Sequence, residues 1–208
     1  ACGGILSPRY FFPEACLMPL IADPFPPNDY LKEVYVQTQV FSPQECQQIL
    51  ALPGDEQPAT IGNAGIEYPK IRRAQSRFIV NPAHHGWFME RLGSLTQHLN
   101  LRYFRFVIGY YSIPQVLEYG PEGHFDWHLD LGAGEMSTRK LSLICFLSDP
   151  ADYRGGKLRI ANGNKHLTPP QEQGSVVVFP SYLLHRVVPV TAGKRATLVV
   201  WLHGPAFS

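Results

Sequence analysis

The stretch Leu141-Ser-Leu-Ile-Cys-Phe-Leu147 is a mostly apolar run that ends at the turn-forming pair Asp149-Pro150. It belongs to a series of short apolar runs after Asn100, separated from one another by Gly, Pro or Asp. Short runs at this spacing are typical of all-β sandwiches and barrels, and eight strands are typical of jelly rolls. We therefore predict eight strands, at residues 104–111, 116–119, 125–131, 141–147, 157–160, 175–179, 185–190 and 196–202.

Two helices are predicted before this β region. Ser42-Pro-Gln-Glu45 has the sequence of a capping box with proline at the first helical position, and the helix is expected to end near Leu50. Asn81-Pro82 starts a second helix, in which apolar residues recur at helical spacing: Phe88, Leu92, Leu95 and Leu99. Strands are predicted at 34–40 and 74–80, with a loop at 53–68. The fold class is thus mainly β (α+β), a jelly roll with N-terminal flanking helices.

The chain reads as one domain preceded by an arm. Residues 1–30 carry six prolines and are predicted to form an irregular N-terminal arm. Residues 31–208 are predicted to form a single domain, with helical support at 42–103 and the jelly-roll core at about 104–203.

Charge and hydropathy exclude several classes of protein. The 208 residues carry 18 Lys and Arg against 17 Asp and Glu, a formal net charge of +1. Such a chain has no overall field that would attract nucleic acid or an anionic membrane, and no apolar run reaches the ~18 residues of a membrane span. A local cluster, Lys70, Arg72, Arg73 and Arg77, could bind a phosphate, but a solvated edge is favoured.

The four cysteines form no CxxC pair. Cys46 and Cys145 lie inside apolar patterns, as buried thiols do. Reduced thiols indicate a reducing compartment, so we expect a cytoplasmic protein.

Four residues suggest a metal site. His128 and Asp130 are two apart, so in a strand they would share one face, separated by roughly 7 Å along the chain. His185, arriving from a distant strand, would complete two imidazoles and one carboxylate, a set that suits non-haem iron(II). Arg195 follows a predicted turn, so its strand can run back beside that of His185 and bring a guanidinium near the metal. The planar guanidinium of Arg195 can donate two parallel hydrogen bonds to a carboxylate, which suits a dicarboxylate ligand.

A second His-x-Asp pair lies close by. His124 and Asp126 share strand parity with His128 and Asp130, so alternation does not choose between the pairs. The later pair is favoured because it ends the strand beside the glycine-containing loop at 132–134. His124 and Asp126 are then rim or surface groups.

Five blocks in this order carry a family resemblance. They are Tyr119…Gly123…His128-Leu-Asp130, Arg139-Lys-Leu-Ser-Leu-Ile-Cys-Phe-Leu-Ser-Asp-Pro150, Tyr153-Arg-Gly-Gly-Lys-Leu158, Gly174-Ser-Val-Val-Val-Phe-Pro-Ser181 and His185…Arg195. Over about residues 100–203 the chain resembles the Fe(II)/2-oxoglutarate-dependent dioxygenases, in their prolyl 4-hydroxylase-like branch.

The resemblance implies a double-stranded β-helix core that binds Fe(II) through His128, Asp130 and His185. It also implies 2-oxoglutarate as co-substrate, with its distal carboxylate on Arg195, together with O₂ and stimulation by ascorbate. The implied reaction hydroxylates an unactivated C–H of a peptidyl residue, proline first, or of a free amino-acid-like molecule, and releases succinate and CO₂. The implied partner is a small-molecule or peptide substrate rather than nucleic acid or membrane.

The chain departs from the family at two positions. Phe125 stands where relatives often have a tyrosine that helps to hold the co-substrate, so Tyr110, Tyr119 or Ser142 is expected to supply the hydroxyl. Prolyl hydroxylases usually have lysine at the position of Arg195. Two alternatives stay open: a nucleic-acid oxidative demethylase, with the Lys70–Arg77 cluster lining a groove, and a non-catalytic jelly-roll binding module.

Overall fold

The computed structural model describes residues 28, 32–61 and 68–207. In this part of the chain, helix α1 spans Pro43–Leu50 and helix α2 spans Pro82–Leu99. Fifteen strands accompany them: β1 Tyr35–Gln37, β2 Glu56–Pro58, β3 Arg72–Arg73, β4 Gln75–Phe78, β5 Tyr110–Tyr111, β6 Gln115–Tyr119, β7 His124–His128, β8 Arg139–Phe146, β9 Tyr153–Gly155, β10 Leu158–Asn162, β11 Lys165–Leu167, β12 Val176–Pro180, β13 His185–Val187, β14 Val190–Gly193 and β15 Arg195–His203. The arm predicted at 1–30 lies outside the described residues apart from Asn28, and the domain boundaries stay predictions.

Two antiparallel sheets face each other. The larger sheet has the strand order β1-β12-β8-β15-β6-β4-β2, with β5 paired to the end of β15. The smaller sheet has the order β11-β10-β13-β7-β3, and β9 and β14 form a separate two-stranded ribbon. The predicted fold class, a mainly β jelly roll with helices before it in the chain, is confirmed.

The centre of the larger sheet is buried on both faces, which explains why β8, β12 and β15 are apolar without alternation. One face packs against the helices, in a core that includes Ile49, Phe88, Leu92, Leu143 and Val200. The other face packs against the smaller sheet, in a second core that includes Leu117, Ile144, Phe179, Leu158 and Ile160. The functional residues described below lie at the open end of this second core.

Helix α1 begins as its sequence predicts. Ser42 accepts a hydrogen bond from the Glu45 backbone N–H at 3.2 Å, and the Glu45 carboxylate accepts one from the Ser42 N–H at 2.8 Å. Arg91 on α2 forms an ion pair with Glu45 at 2.8 Å. The capping box therefore also joins the two helices.

We expect Glu45→Gln to lower the free energy of unfolding by about 1 kcal/mol at neutral pH. Hydrogen bonding to Arg91 and then to Ser42 lowers the pKa of Glu45 from 4.5 to about 2. Because the folded-state pKa lies below the unfolded value, this stabilisation is present above about pH 4.5 and is lost as the pH falls towards 2. Urea denaturation across this range tests the prediction. Glu90→Gln, on the exposed side of α2, is the control, and an equal loss there would contradict the prediction.

The strand predicted at 104–111 is mostly wrong. One turn of π-helix at Asn100–Phe104 continues α2, and Arg105 ends it with a φ of 56°. The side chain of Asn100 accepts from the Phe106 N–H and donates to the Phe106 carbonyl, at 2.9 and 2.7 Å. These bonds replace strand pairing, so only Tyr110–Tyr111 pairs, with the end of β15.

Other differences concern short or exposed strands. The predicted loop at 53–68 contains β2, all of whose residues are exposed, and β9 and β11 were not predicted because they lack an apolar face. Cys46 and Cys145 are buried free thiols, as predicted. Within the described residues, neither helix has the length and hydropathy of a membrane-spanning segment.

Candidate metal centre

Three of the predicted site residues meet at one end of the smaller sheet. His128 is the last residue of β7, His185 is the first of β13, and the two are paired across these strands. Asp130 lies just beyond β7, with Oδ1 3.7 Å from Nε2 of His128 and Oδ2 3.5 Å from Nε2 of His185. The ligand atoms of the three residues lie within 4.8 Å of one another. This arrangement could hold one divalent metal ion.

A β-bulge in β7 decides which side chains face this group. The strand register shifts by one residue between the His185–His128 pair and the Val187–Phe125 pair. The bulge turns Phe125 to the same side as His128, where the two rings stack with centroids 3.4 Å apart. The prediction that both His-x-Asp pairs share one face is therefore wrong, because alternation stops at the bulge.

The earlier His-x-Asp pair lies apart from the metal group. The Nδ1 and Nε2 atoms of His124 lie 2.8 Å and 3.2 Å from the backbone oxygens of Glu122 and Lys70. Asp126 accepts a hydrogen bond from the backbone N–H of Trp127 at 2.8 Å. The next residue, Trp127, is 36 % exposed, and its ring centroid lies 4.8 Å from the guanidinium carbon of Arg186.

Backbone carbonyls orient both imidazoles. Nδ1 of His128 lies 2.7 Å from the carbonyl oxygen of Asp126, and Nδ1 of His185 lies 2.8 Å from that of Leu183. A carbonyl only accepts, so Nδ1 carries the hydrogen in each ring. In the neutral rings the lone pairs are therefore on Nε2, which in both residues points at Asp130.

The three residues open into a cavity of about 670 Å³, which Arg195 lines from the larger sheet. Arg195 is 1 % exposed, and none of its three guanidinium nitrogens has a hydrogen-bond partner among the described residues. The prediction that its strand runs beside that of His185 is wrong. Strand β15 pairs with β5, β6 and β8, so Arg195 faces the metal group from across the cavity.

The chain makes room for this buried cation. A Cβ at Gly156, where φ is 60°, would lie 2.7 Å from Cδ of Arg195. The guanidinium carbon lies 5.3 Å and 5.5 Å from the ring centroids of Tyr119 and Phe146. Burial lowers the pKa of Arg195, but a guanidinium stays charged at physiological pH. An unpaired buried cation is costly, so the cavity fits a ligand with a complementary carboxylate.

The donor set fits iron(II) and the guanidinium fits a dicarboxylate. The sequence model of the 2OG-Fe(II) oxygenase superfamily matches residues 114–203, which include His128, Asp130, His185 and Arg195. Residues 114–203 belong to this superfamily. They form the oxygenase region of the chain.

Relatives of the oxygenase region carry the name PKHD-type hydroxylase. One from Sphingopyxis alaskensis is 38 % identical over 94 residues, which is 43 % of each chain. One from Crocosphaera subtropica is 36 % identical over 88 residues, which is 41 % of this chain and 40 % of the relative. The matches thus cover less than half the length of these relatives.

Solved structures share the fold over a longer range. A Trichoplax adhaerens prolyl hydroxylase, solved with a peptide fragment of hypoxia inducible factor, has a TM-score of 0.69 at 17 % identity. The match covers 82 % of this chain and 83 % of that one. A Pseudomonas putida prolyl-4-hydroxylase has a TM-score of 0.66 at 22 % identity, covering 83 % and 93 %. The double-stranded β-helix expected from the sequence is the fold of the oxygenase region.

Burial and neighbouring charges set the protonation of the metal group in the oxygenase region. Burial, followed by the neighbouring His185, lowers the pKa of His128 to about 3. Burial acts to raise the pKa of Asp130, but His185, His128 and the Ser142 hydroxyl outweigh it and lower the pKa to about 2. At neutral pH the pair is therefore a neutral imidazole and a carboxylate, the forms that bind metal.

Two serines position Asp130, Ser142 through the carboxylate and Ser181 through the backbone. The Ser142 hydroxyl on β8 donates to its Oδ2 at 2.6 Å and lies 3.0 Å from the Ser181 hydroxyl. The Asp130 backbone N–H donates to the Ser181 carbonyl at 3.1 Å. Ser142 was expected to be one of three hydroxyls that could face the co-substrate, whereas in the oxygenase region its hydroxyl is directed at Asp130.

We expect Ser142→Ala to weaken iron(II) binding about 10- to 100-fold, the usual effect of removing a group that orients a metal ligand. Ser142→Thr keeps the hydroxyl and should restore most of the affinity. Anaerobic iron(II) titration is the measurement. Ser175→Ala is the control, because the Ser175 hydroxyl donates to the Glu172 carbonyl, away from both the metal group and Arg195. Normal iron(II) affinity in Ser142→Ala would show that Asp130 binds the metal without the hydrogen bond from Ser142.

Tyr119 and Tyr110, which were also expected near the co-substrate, lie in different surroundings. Tyr119 is 2 % exposed and is the cross-strand partner of Arg195. Tyr110 is 55 % exposed at the cavity mouth, with its ring stacked on that of His203 at 4.6 Å. Lys194, next to Arg195 in the chain, is exposed and pairs with Glu118 at 2.8 Å. Tyr119 thus lies beside Arg195, as does Tyr153, which also acts to raise the pKa of Arg195 against the effect of burial.

Sequence reasoning missed three contributors to the site. Ser181 supports Asp130, Phe125 stacks on His128, and Trp201 lies in the cavity wall beneath Arg139, 3.8 Å from the guanidinium carbon. The position of Ser181 at the corner just before His185 was a usable signal. The other two depend on the bulge and on the way that the sheets face each other, for which the sequence has no local sign.

Proposed function

We propose that this chain is an Fe(II)- and 2-oxoglutarate-dependent dioxygenase that hydroxylates an unactivated C–H of a peptidyl or amino-acid-like substrate. One observation carries the proposal. Two imidazoles and a carboxylate lie on one wall of a cavity whose opposite wall holds a buried guanidinium without a partner among the described residues.

In this proposal each residue has a defined task. His128, Asp130 and His185 hold Fe(II), and their three positions leave coordination sites open for other ligands. Arg195 binds the distal carboxylate of 2-oxoglutarate with charge-assisted hydrogen bonds, which offset the cost of removing that carboxylate from water. Bound together, iron(II) and 2-oxoglutarate supply the oxidising chemistry, in which O₂ is consumed, succinate and CO₂ are released and the substrate gains one oxygen atom.

The walls between these groups exclude water. Buried apolar side chains line the cavity between the metal group and Arg195: Leu117, Ile144, Leu158 and Val187. A dry site strengthens the ion pair that Arg195 would form and protects reactive species from side reactions.

Proline is the first substrate to test. The support is the names of the fold neighbours, prolyl hydroxylases from Trichoplax adhaerens and Pseudomonas putida, together with the hydroxylase names of the relatives. The buried free thiols Cys46 and Cys145 support a reducing compartment and hence a cytoplasmic location. Stimulation by ascorbate stays a prediction from the family resemblance alone.

The direct test is succinate formation from 2-oxoglutarate with purified protein, with and without Fe(II). We expect slow, iron-dependent turnover without substrate, and faster turnover when a suitable peptide or amino acid gains one oxygen atom by mass spectrometry. A protein that binds neither Fe(II) nor 2-oxoglutarate would overturn the proposal and favour the non-catalytic binding module.

The nucleic-acid demethylase has less support. Two of the four basic residues that would line a groove are engaged elsewhere: Arg77 is buried and donates to the Leu50 carbonyl at 2.9 Å, and Arg73 pairs with Glu122. Methylated oligonucleotides in the same succinate assay separate the two functions.

A further inference from the structure

Two further arginines line the cavity near the metal group. Arg72 on β3 donates through Nη1 to the carbonyl oxygen of Thr60 at 2.8 Å, and Arg139 at the start of β8 donates through Nη1 to that of Asp130 at 3.3 Å. In both residues Nε is buried and has no partner among the described residues, and neither forms an ion pair within that part of the chain. A guanidinium has five N–H donors, so each arginine has donors left for a ligand.

Aromatic rings hold both guanidinium groups in place. The guanidinium carbon of Arg72 lies 4.5 Å from the ring centroid of Phe125, which itself stacks on His128. That of Arg139 lies 3.8 Å from the ring centroid of Trp201. Stacking of this kind fixes the plane of the guanidinium group before a ligand binds. The two arginines are therefore preorganised at the cavity rather than free to swing into solvent.

The cavity carries an unbalanced positive charge. In the proposed function, the charges of Fe(II), 2-oxoglutarate, Asp130 and Arg195 cancel. The rim then retains two positive charges, on Arg72 and Arg139, and one negative charge, on the exposed Glu135. Arg72 and Arg139 are like charges that line one cavity, so they repel each other. A bound anion would remove this repulsion.

The mouth of the same cavity has an apolar rim. Phe78, Ile113 and Leu129 line the cavity and are 36 %, 50 % and 44 % exposed. Exposed apolar residues around a cavity indicate contact with an apolar part of a ligand. A ligand that satisfies both features has an apolar body and an anionic group.

We propose that the substrate carries a carboxylate, which Arg72 and Arg139 bind at the cavity mouth beside an apolar body. This inference rests on the proposed function and narrows its substrate class. The carboxylate has two possible sources, the terminal carboxylate of a free amino-acid-like molecule and an acidic side chain within a peptide. A neutral prolyl peptide would leave both arginines without an anion.

The test compares acids with their amides. Free apolar amino acids and N-acetyl amino acids are each paired with the C-terminal amide, and short peptides with Asp or Glu are paired with the Asn or Gln versions. Binding is measured by ligand-observed NMR on protein loaded with 2-oxoglutarate and zinc(II), which has no redox chemistry. This readout does not depend on turnover. We expect acids of one of the two series to bind at least about 10-fold more tightly than their amides.

Three variants make the test specific. Arg72→Gln and Arg139→Gln should each weaken binding of the acid about 10- to 100-fold and leave the amide unaffected. Arg139→Lys keeps the charge but loses the bidentate hydrogen bonds, so its affinity for the acid should lie between those of the unmodified protein and Arg139→Gln. Arg73→Gln is the matched control, because this neighbouring arginine is exposed and already paired with Glu122, and it should behave as the unmodified protein.

Two outcomes overturn the inference: acids that bind no better than amides, or an acid preference that survives Arg72→Gln and Arg139→Gln. Iron-dependent succinate formation without acid preference would leave the proposed function standing. Arginine-dependent binding of acids without binding of 2-oxoglutarate would overturn the proposed function alone.

Discussion

His128→Ala, Asp130→Ala and His185→Ala are each expected to abolish iron(II) binding and, with it, turnover of 2-oxoglutarate. Each change removes one of three ligand atoms that lie within 4.8 Å of one another. Loss of a group that only orients a metal ligand weakens binding about 10- to 100-fold, so loss of a ligand should exceed that range. Anaerobic iron(II) titration measures the effect directly, and circular dichroism shows whether each variant is folded.

The matched controls are His124→Ala and Asp126→Ala, which alter the other His-x-Asp pair on the same strand. Both side chains bond to nearby backbone groups away from the metal group. These variants should bind iron(II) nearly normally. If His124→Ala lost iron and His128→Ala retained it, the site would be built on the earlier pair and the register of β7 given above would be wrong.

Arg195→Leu is expected to weaken 2-oxoglutarate binding far more than iron(II) binding. The guanidinium is buried and unpaired among the described residues, and it faces the metal group from the opposite sheet. Removal of one partner of a buried, hydrogen-bonded charge pair costs about 2–5 kcal/mol, which corresponds to roughly 30- to 4,000-fold in affinity. Arg195→Lys keeps the charge but loses the bidentate hydrogen bonds, so its affinity for 2-oxoglutarate should lie between those of the unmodified protein and Arg195→Leu.

The measurement is the Kd of 2-oxoglutarate with iron(II) bound, by calorimetry under anaerobic conditions. Anaerobic titration of Arg195→Leu with iron(II) should resemble that of the unmodified protein, because the metal ligands are untouched. An unchanged Kd for 2-oxoglutarate would move the distal carboxylate to another cation, and Arg139 and Arg72 both line the same cavity.

Much of this architecture could be predicted because it depends on local patterns. The apolar run at 141–147 predicts a strand and the capping box at 42–45 predicts a helix start. Both structures depend mainly on residues close together in the sequence. His185 could be linked to His128 because a strand-rich chain of this length brings distant strands together. The choice of the later His-x-Asp pair rested on its position at the end of a strand.

What could not be predicted depends on long-range pairing. The bulge in β7 arises where the strand pairs with β13, and it reverses the facing of Phe125 relative to simple alternation. The turn predicted just before Arg195 is mostly wrong, because Val190–Gly193 form β14 and pair with β9. The strand of Arg195 joins the larger sheet, where β6 and β8 are its partners. The π-helical end of α2 depends on side-chain bonds of Asn100. Residue type and spacing alone predict none of these three features.

The division of the site between the two sheets has a consequence for the cohesion of the whole domain. His128 and His185 lie on the smaller sheet, whereas Arg195 lies on the larger one. A metal ion alone would tie β7 to β13, and amide hydrogen exchange should slow mainly in those strands. A dicarboxylate held by the metal and by Arg195 would act as a reversible crosslink between the sheets. Its binding free energy would then resist their separation, so exchange should slow in β15 as well and the two sheets should open as a single unit.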